Sequence, residues 1–400
     1  MNLTLTLTER MMRNTKIMFF KLVRAGLWDD ANDNLNHDLN EDVDWGKVYR
    51  LAEEQSVVGL VAAGIENLNA NVNPNFKVPR EWALQFIGQT LLIEQRNKAM
   101  NAFITQLICD LRKANIYTII VKGQGVAQCY EKPLWRSSGD IDLYLNEDDF
   151  QKAKKFFRPL VEKFDPDDDY TRHINMHYGD WVIEIHADQY CSLSPRIDNL
   201  LDEVHRDLFY NGNVRSWMNN GTQVFLPSAD NDNIIVFTHF LKHFYKGGLG
   251  LRQICDWCRL LWTYRDTLDL RLLERRIHKA GLLDEWRAFG TYAVLYLGMP
   301  VEAMPLLEGK WKMKEGRCVI DARLKRKADR INEFIIEVGN FGHNRDTSYY
   351  GKYPFLVRKT ISAWRRMKDL CRHAMIFPLD SLRFFFGMII SSFKAVSHGE

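Results

Sequence analysis

Three features that would point directly to a partner or a compartment are scarce in this chain of 400 residues. The first is charge of one sign. Lys and Arg number 54 against 51 Asp and Glu, so the formal net charge is only +3, and bulk electrostatics select neither nucleic acid nor an anionic membrane. The second is cysteine. Cys109, Cys129, Cys191, Cys255, Cys258, Cys318 and Cys371 are odd in number and scattered, which excludes a disulfide framework and fits free thiols in a reducing cytoplasm. The third is a long apolar run. The most apolar stretch, Leu382 to Phe393 (LRFFFGMIISSF), is about a dozen residues where a bilayer needs roughly 20, so a buried terminal helix is expected and no transmembrane segment. The opening MNLTLTLTERMMRNTK has neither an apolar core of signal-peptide length nor a small-residue cleavage site. A cytoplasmic location is the expectation.

Internal repeats and low-complexity segments are also missing. What remains is an ordinary globular composition, 46% hydrophobic and 26% charged, in a chain long enough to bury a sizeable core. Cys255 and Cys258 form a lone C-x-x-C in an apolar-periodic stretch. A structural zinc site needs four ligands, so helix packing is the expectation there.

Hydrophobic spacing divides the chain into three parts. Residues 1–114 read as a helical front, with loops at 29–44 and 69–79 and one long helix over about 79–114. Residues 115–192 change character. Tyr117–Val121 (YTIIV) is short, β-branched and unbroken, as a buried strand would be. Lys122-Gly123-Gln124-Gly125 follows it, with a helix start at Val126–Tyr130. Ile141–Leu145 reads as a second strand and Asp148–Glu162 as a helix. Tyr170–Met176 and Trp181–His186 read as strands joined by Tyr178-Gly179-Asp180, a hairpin turn. Residues 193–400 carry helical spacing to the end. The fold class is α+β: a small mixed-sheet core embedded in a mostly helical protein.

The chemistry concentrates in Arg136-Ser-Ser-Gly-Asp140-Ile-Asp142-Leu-Tyr-Leu145. On a strand, residues i and i+2 share a face, so Asp140 and Asp142 project together while Ile141 and Leu143 enter the core. Two like charges so placed repel unless a cation sits between them. Hard oxygen ligands suit Mg²⁺, with Mn²⁺ as a substitute. Glu184, in Val182-Ile-Glu-Ile-His186, joins them if its strand lies beside the first. Three such carboxylates can hold two ions that clamp the attacking and leaving oxygens of a phosphoryl displacement. The Lys122-Gly123 turn, after a strand and before a helix, can hold a triphosphate. An exposed sheet face with ordinary charges is the alternative.

The order of these pieces resembles the DNA polymerase beta nucleotidyltransferase superfamily and, within it, the bacterial family of uncharacterised nucleotidyltransferases. The matching residues are Val121-Lys122-Gly123, Tyr130, Arg136, Gly139-Asp140-Ile141-Asp142-Leu143, Ile183-Glu184-Ile185-His186 and Gly339-Asn340-Phe341-Gly342. The resemblance implies a metal role for Asp140 and Asp142, a catalytic third-carboxylate role for Glu184, and contact between Lys122-Gly123 and nucleotide phosphates. Arg136, Ser138 and Gly139 join that nucleotide-binding set. The chain departs from the pattern twice. Gly123-Gln124 stands where the superfamily has Gly-Ser, and Glu184 where this family more often has Asp.

Further candidates flank this core. His186 shares Glu184's face and either contacts acceptor or phosphate, or hydrogen-bonds Glu184. Arg136 either grips a phosphate or pairs with Asp140 or Asp142. His239 and His243 lie at i and i+4 with Lys242 and Lys246 nearby, expected as a cationic helix face over nucleotide or acceptor, with packing or zinc as alternatives. The basic stretch 310–330 reads as a solvated helix face, with polyanion contact as its alternative. The resulting expectation is transfer of a nucleoside monophosphate from an NTP to an unknown acceptor hydroxyl (small molecule, sugar, protein or RNA), with release of pyrophosphate. A non-catalytic nucleotide- or partner-binding protein of the same fold is the rival, and a two-metal phosphodiester hydrolase the third reading.

Overall fold

In a computed structural model, the structure describes residues 7–28, 42–72, 76–161, 172–188, 191, 193–246, 248–314, 317–340 and 354–385. Helices α1 (Leu7–Leu27), α2 (Trp45–Glu54), α3 (Val58–Asn67) and α4 (Arg80–Lys113) come first. The 34-residue α4 realises the long helix expected over 79–114. Strand β1 (Ile119–Val121), short helix α5 (Gly123–Ala127), β2 (Asp140–Tyr144), α6 (Glu147–Phe157), β3 (His173–Tyr178) and β4 (Trp181–His186) follow. Then come α7 (Pro195–Phe209), β5 (Val214–Asn219), β6 (Thr222–Pro227), α8 (Ala229–Lys246), α9 (Leu251–Tyr264), α10 (Leu270–Ala280) and α11 (Leu283–Leu297). The hairpin β7 (Trp311–Lys314) and β8 (Arg317–Ile320) precedes α12 (Ala322–Val338) and α13 (Phe355–Ile376).

The protein is α+β. Six strands form one mixed sheet in the order β3-β4-β2-β1-β6-β5. β2 runs parallel to β4, β1 parallel to β6, and the other neighbours are antiparallel. Alternation along the strands makes two faces. Ile141, Leu143, Ile174, Met176, Ile183 and Ile185 pack with Met100, Ile104 and Leu107 of α4 and Phe150 and Phe157 of α6 in one core. The opposite face, with Val121 and Tyr144, meets the larger core of the helical body. There Phe237, Phe240, Phe244, Trp257, Trp286 and Phe289 are all fully buried. Burying rings of this size contributes roughly 1.5–3 kcal/mol each, and their edge-on contacts add to it.

The structure corrects the expectation of unbroken helix after about residue 193. Two hairpins interrupt it. β5–β6 turns at Asn220-Gly221, both at positive φ, which is the Asn-Gly pairing that two-residue hairpin turns demand. It extends the sheet on the β1 side. β7–β8 replaces part of the helix expected over 310–330, whose exposed cations are spread over this hairpin and α12. Lys327 is an exception, buried against Asp284. The C-x-x-C thiols are both buried within α9, as helix packing requires. Residues 386–393 of the Leu382–Phe393 stretch and residues 341–342 of the Gly339–Gly342 loop lie outside the described residues.

Candidate active site

The sheet register gathers the carboxylates. Asp142 stands directly opposite Glu184 in the parallel β2–β4 pair, and Asp140 opposite Val182. Oxygen atoms of Asp140, Asp142 and Glu184 all lie within 4.8 Å of one another. Asp142 is buried while Asp140 and Glu184 remain partly open. Like charges this close in a buried place are costly unless paired, and the chain supplies two partners.

Lys122 is one of them. Its Nζ lies 2.8 Å from Asp142 Oδ1. To reach there, the backbone at Lys122 adopts φ 57°, ψ −141°, a conformation that costs a non-glycine residue about 1–3 kcal/mol. Gly123 follows at φ +38°, where glycine is the residue without strain. Burial works against the Lys122 charge, but Asp142 and Asp140 outweigh it and raise its pKa. Asp142 responds in kind: burial would push its carboxyl up, and Lys122 with His186 holds it below the usual range. At Asp140, burial together with the Asp142 charge outweighs the Lys122 charge and pushes the carboxyl up.

His186 is the other partner. Its Nε2 lies 3.1 Å from Asp142 Oδ1 and 3.5 Å from Glu184 Oε2. Burial disfavours its charge, yet the two carboxylates raise its pKa above the ordinary value. His173, which sequence reasoning missed, faces it across the β3–β4 hairpin. Its Nε2 is 3.2 Å from Glu184 Oε2, and the two imidazole rings stack at 4.5 Å. Burial alone would raise Glu184, but hydrogen bonds to His173 and His186 hold it far below its usual range. The signal was available: counting back from the Tyr178-Gly179-Asp180 turn pairs His173 with His186.

The helical body closes the other side. His239 Nδ1 is 3.4 Å from Lys122 Nζ, and His243 Nε2 is 3.1 Å from His239 Nε2. Both reach the site, but not as cations. Burial and the Lys122 charge push His239 well below its ordinary pKa and His243 down to about 4. This corrects the cationic-face reading of α8: a buried lysine lies next to the pair, so both rings are neutral near pH 7. Lys242 is partly exposed on the same helix, and Lys246 donates to the Cys191 carbonyl at 3.1 Å.

Arg136 pairs with neither Asp140 nor Asp142. Its Nε and Nη2 donate to the two oxygens of Asp256 on α9 at 2.7 and 2.6 Å. Tyr130 Oη donates to the same carboxylate at 2.8 Å. Arg136 Nη1 donates at 3.0 Å to Ser138 Oγ, which also accepts from Gln124 Nε2 at 3.2 Å. The guanidinium is thus a buried strut that fixes the Ser137–Gly139 turn feeding β2. Gln124 bonds to Asn97 Oδ1 at 2.8 Å and is buried, so the residue in place of the familiar serine braces α4. Arg252 donates to the Ser137 carbonyl at 2.7 Å and, with Tyr130, Trp135 and Ser137, lines a recess of about 130 Å³ that opens to solvent beside α3.

A protein-family model described as uncharacterised nucleotidyltransferase matches residues 41–298. That span is well over half of the chain and takes in α2 to α11, the whole six-stranded sheet and every side chain described above. No curated protein and no solved structure matches the chain.

Proposed function

The chain belongs to this nucleotidyltransferase family, and from that premise we propose that it transfers a nucleoside monophosphate from an NTP to an acceptor hydroxyl with Mg²⁺ or Mn²⁺. The observation that carries the reading is the β2–β4 register, in which Asp142 faces Glu184 and three carboxylates converge. An all-oxygen donor set of this size fits Mg²⁺. When bound, the ions neutralise the phosphates and stabilise charge on the leaving pyrophosphate.

The residues divide the work. Asp140 and Asp142 hold the ions, with Glu184 as third ligand. Glu184, which shares the ions, is the carboxylate that takes the acceptor's proton. Lys122, paired with Asp142 in the metal-free protein, would supply a point charge to the phosphates once ions take over the carboxylate. Helix α5 has only five residues and contributes little dipole, so the side chain and not the helix end supplies that charge. Ser138 and Gly139 line the turn. The recess beside Arg252 offers a seat for the acceptor.

The test is transfer of label from α-labelled ATP, GTP, CTP or UTP to components of a cell extract, with Mg²⁺. Asp140→Asn and Asp142→Asn abolish the transfer. If no label moves, or both variants behave as wild type, the reading is wrong. One observation favours the rival, a binding protein that retains the fold: Lys122 already neutralises Asp142 without any ion. Thermal shift separates the two, because a catalytic site is stabilised by Mg²⁺ and nucleotide together more than by either alone.

A further inference from the structure

The face that carries the three carboxylates also carries a second donor set of different chemistry. Alternation places His173 and Asn175 of β3 and Glu184 and His186 of β4 on one side of the hairpin, with His173 opposite His186 and Asn175 opposite Glu184. The imidazoles of His173 and His186 and the carboxylate of Glu184 each offer an atom within 4.8 Å of the others. The two measured edges from Glu184 Oε2 are 3.2 Å to His173 Nε2 and 3.5 Å to His186 Nε2. Ligands about 2.1 Å from one ion stand about 3.0–3.4 Å apart in six- or four-coordinate geometry, so the two edges are near the required spacing, and the stacked rings, 22° between planes, turn about their side-chain bonds to bring both nitrogen lone pairs onto one ion. Asn175 adds an independent sign. Its Oδ1 is buried and has no hydrogen-bond partner among the described residues, which costs about 1–3 kcal/mol for an unsatisfied acceptor. An amide oxygen so placed beside Glu184 is relieved by a cation or by water that the cation orders.

We infer that His173, Glu184 and His186, with Asn175 beside them, form a mixed nitrogen–oxygen site for a transition-metal dication of the Mn²⁺, Co²⁺ or Zn²⁺ type, adjoining the oxygen-only site and sharing Glu184 with it. Two imidazoles favour such ions over Mg²⁺, which prefers oxygen and keeps its waters. The shared carboxylate couples the two sites: an ion on the histidines fixes the Glu184 rotamer that the oxygen-only site uses. The site is defined by its donors alone and does not require that the protein transfer a nucleotide.

The experiment titrates the full chain with Co²⁺ in excess Mg²⁺ and without nucleotide, following the visible d–d bands. The expected result is Co²⁺ binding that survives the Mg²⁺ and persists in Asp140→Asn. Affinity falls roughly tenfold or more in His173→Ala. Pulsed EPR of Mn²⁺ bound to the unaltered protein gives a readout that no misfolded variant can confuse, and imidazole nitrogen couplings are expected. Absence of those couplings, displacement of Co²⁺ by Mg²⁺, or wild-type affinity in a folded His173→Ala each overturns the inference. Transfer activity is scored separately, so loss of this site and loss of the proposed reaction remain distinguishable.

Discussion

Two histidine pairs stand on opposite sides of the Lys122–Asp142 ion pair, and the ring of each that touches it, His186 or His239, is shifted in the opposite direction. His173 and His186 come from the edge of the sheet and stack face to face at 4.5 Å. His239 and His243 come from α8 and meet edge-on at the same separation. Both His186 and His239 are largely withdrawn from water, so desolvation acts on both. What differs is the nearest charge. Carboxylates of Asp142 and Glu184 raise His186, whereas Lys122 and its helix neighbours depress His239 and His243. Nearness to an acidic site does not make a histidine cationic; the group it touches does. Lys122 is the divider, with a carboxylate on one side and a neutral imidazole on the other.

The largest expected effect comes from removing the divider's partner. Asp142→Ala strands Lys122, whose side chain is only 15% exposed, and takes one of two carboxylates from His186. Breaking a buried pair on one side costs about 3–5 kcal/mol. Urea unfolding of the metal-free protein measures it. The double variant Lys122→Met, Asp142→Leu recovers much of the loss, since an apolar pair of similar volume leaves no unpaired charge. A loss under about 1 kcal/mol in the single variant would mean that Lys122 finds another partner, and the contrast between the two pairs would then rest on something other than this bridge.

The next effect is in pH. The His243 pKa, down to about 4 in the fold against about 6.5 in an open chain, favours the neutral folded form. Its contribution is complete above about pH 6.5 and is lost as pH falls toward 4, amounting to at most about 3 kcal/mol. His186 works in the other direction. Its raised pKa contributes stability that is present below about pH 6.5 and lost as pH rises through the folded value. Unfolding free energies of the metal-free chain across this range therefore bend at both ends. His243→Gln flattens the acid limb and His186→Gln the other. If one variant flattens both limbs, the pairs titrate as a single unit through Lys122 and are not independent.

Much of this site was legible from residue order. Strand alternation fixed the common face of Asp140 and Asp142, and the acidic position in the hairpin pointed to Glu184 before the register placed it opposite Asp142. What could not be read was set at long range. Arg136 finds Asp256, 120 residues away, and no local pattern encodes that pairing. The neutral state of His239 depends on a lysine 117 residues upstream. The β5–β6 hairpin was missed for another reason: its alternation is interrupted by Met218, exposed, and Asn219, buried, so period alone hid it although the Asn220-Gly221 turn was in plain view.

The smallest effect on stability belongs to His173, and it separates the sheet pair from the α8 pair most finely. Its side chain is 45% exposed and touches Glu184 from the solvent side, where an ion pair is worth about 0–1 kcal/mol. His173→Phe keeps an aromatic ring against His186 and removes both ring nitrogens. The folded protein should lose less than about 1 kcal/mol in urea, while its Co²⁺ affinity falls with the lost donor. A residue that contributes almost nothing to the fold and much to a bound ion is held there for its ligand atom. If His173→Phe instead destabilises the fold while Co²⁺ binding is untouched, the stacked pair is a packing device and holds no ion.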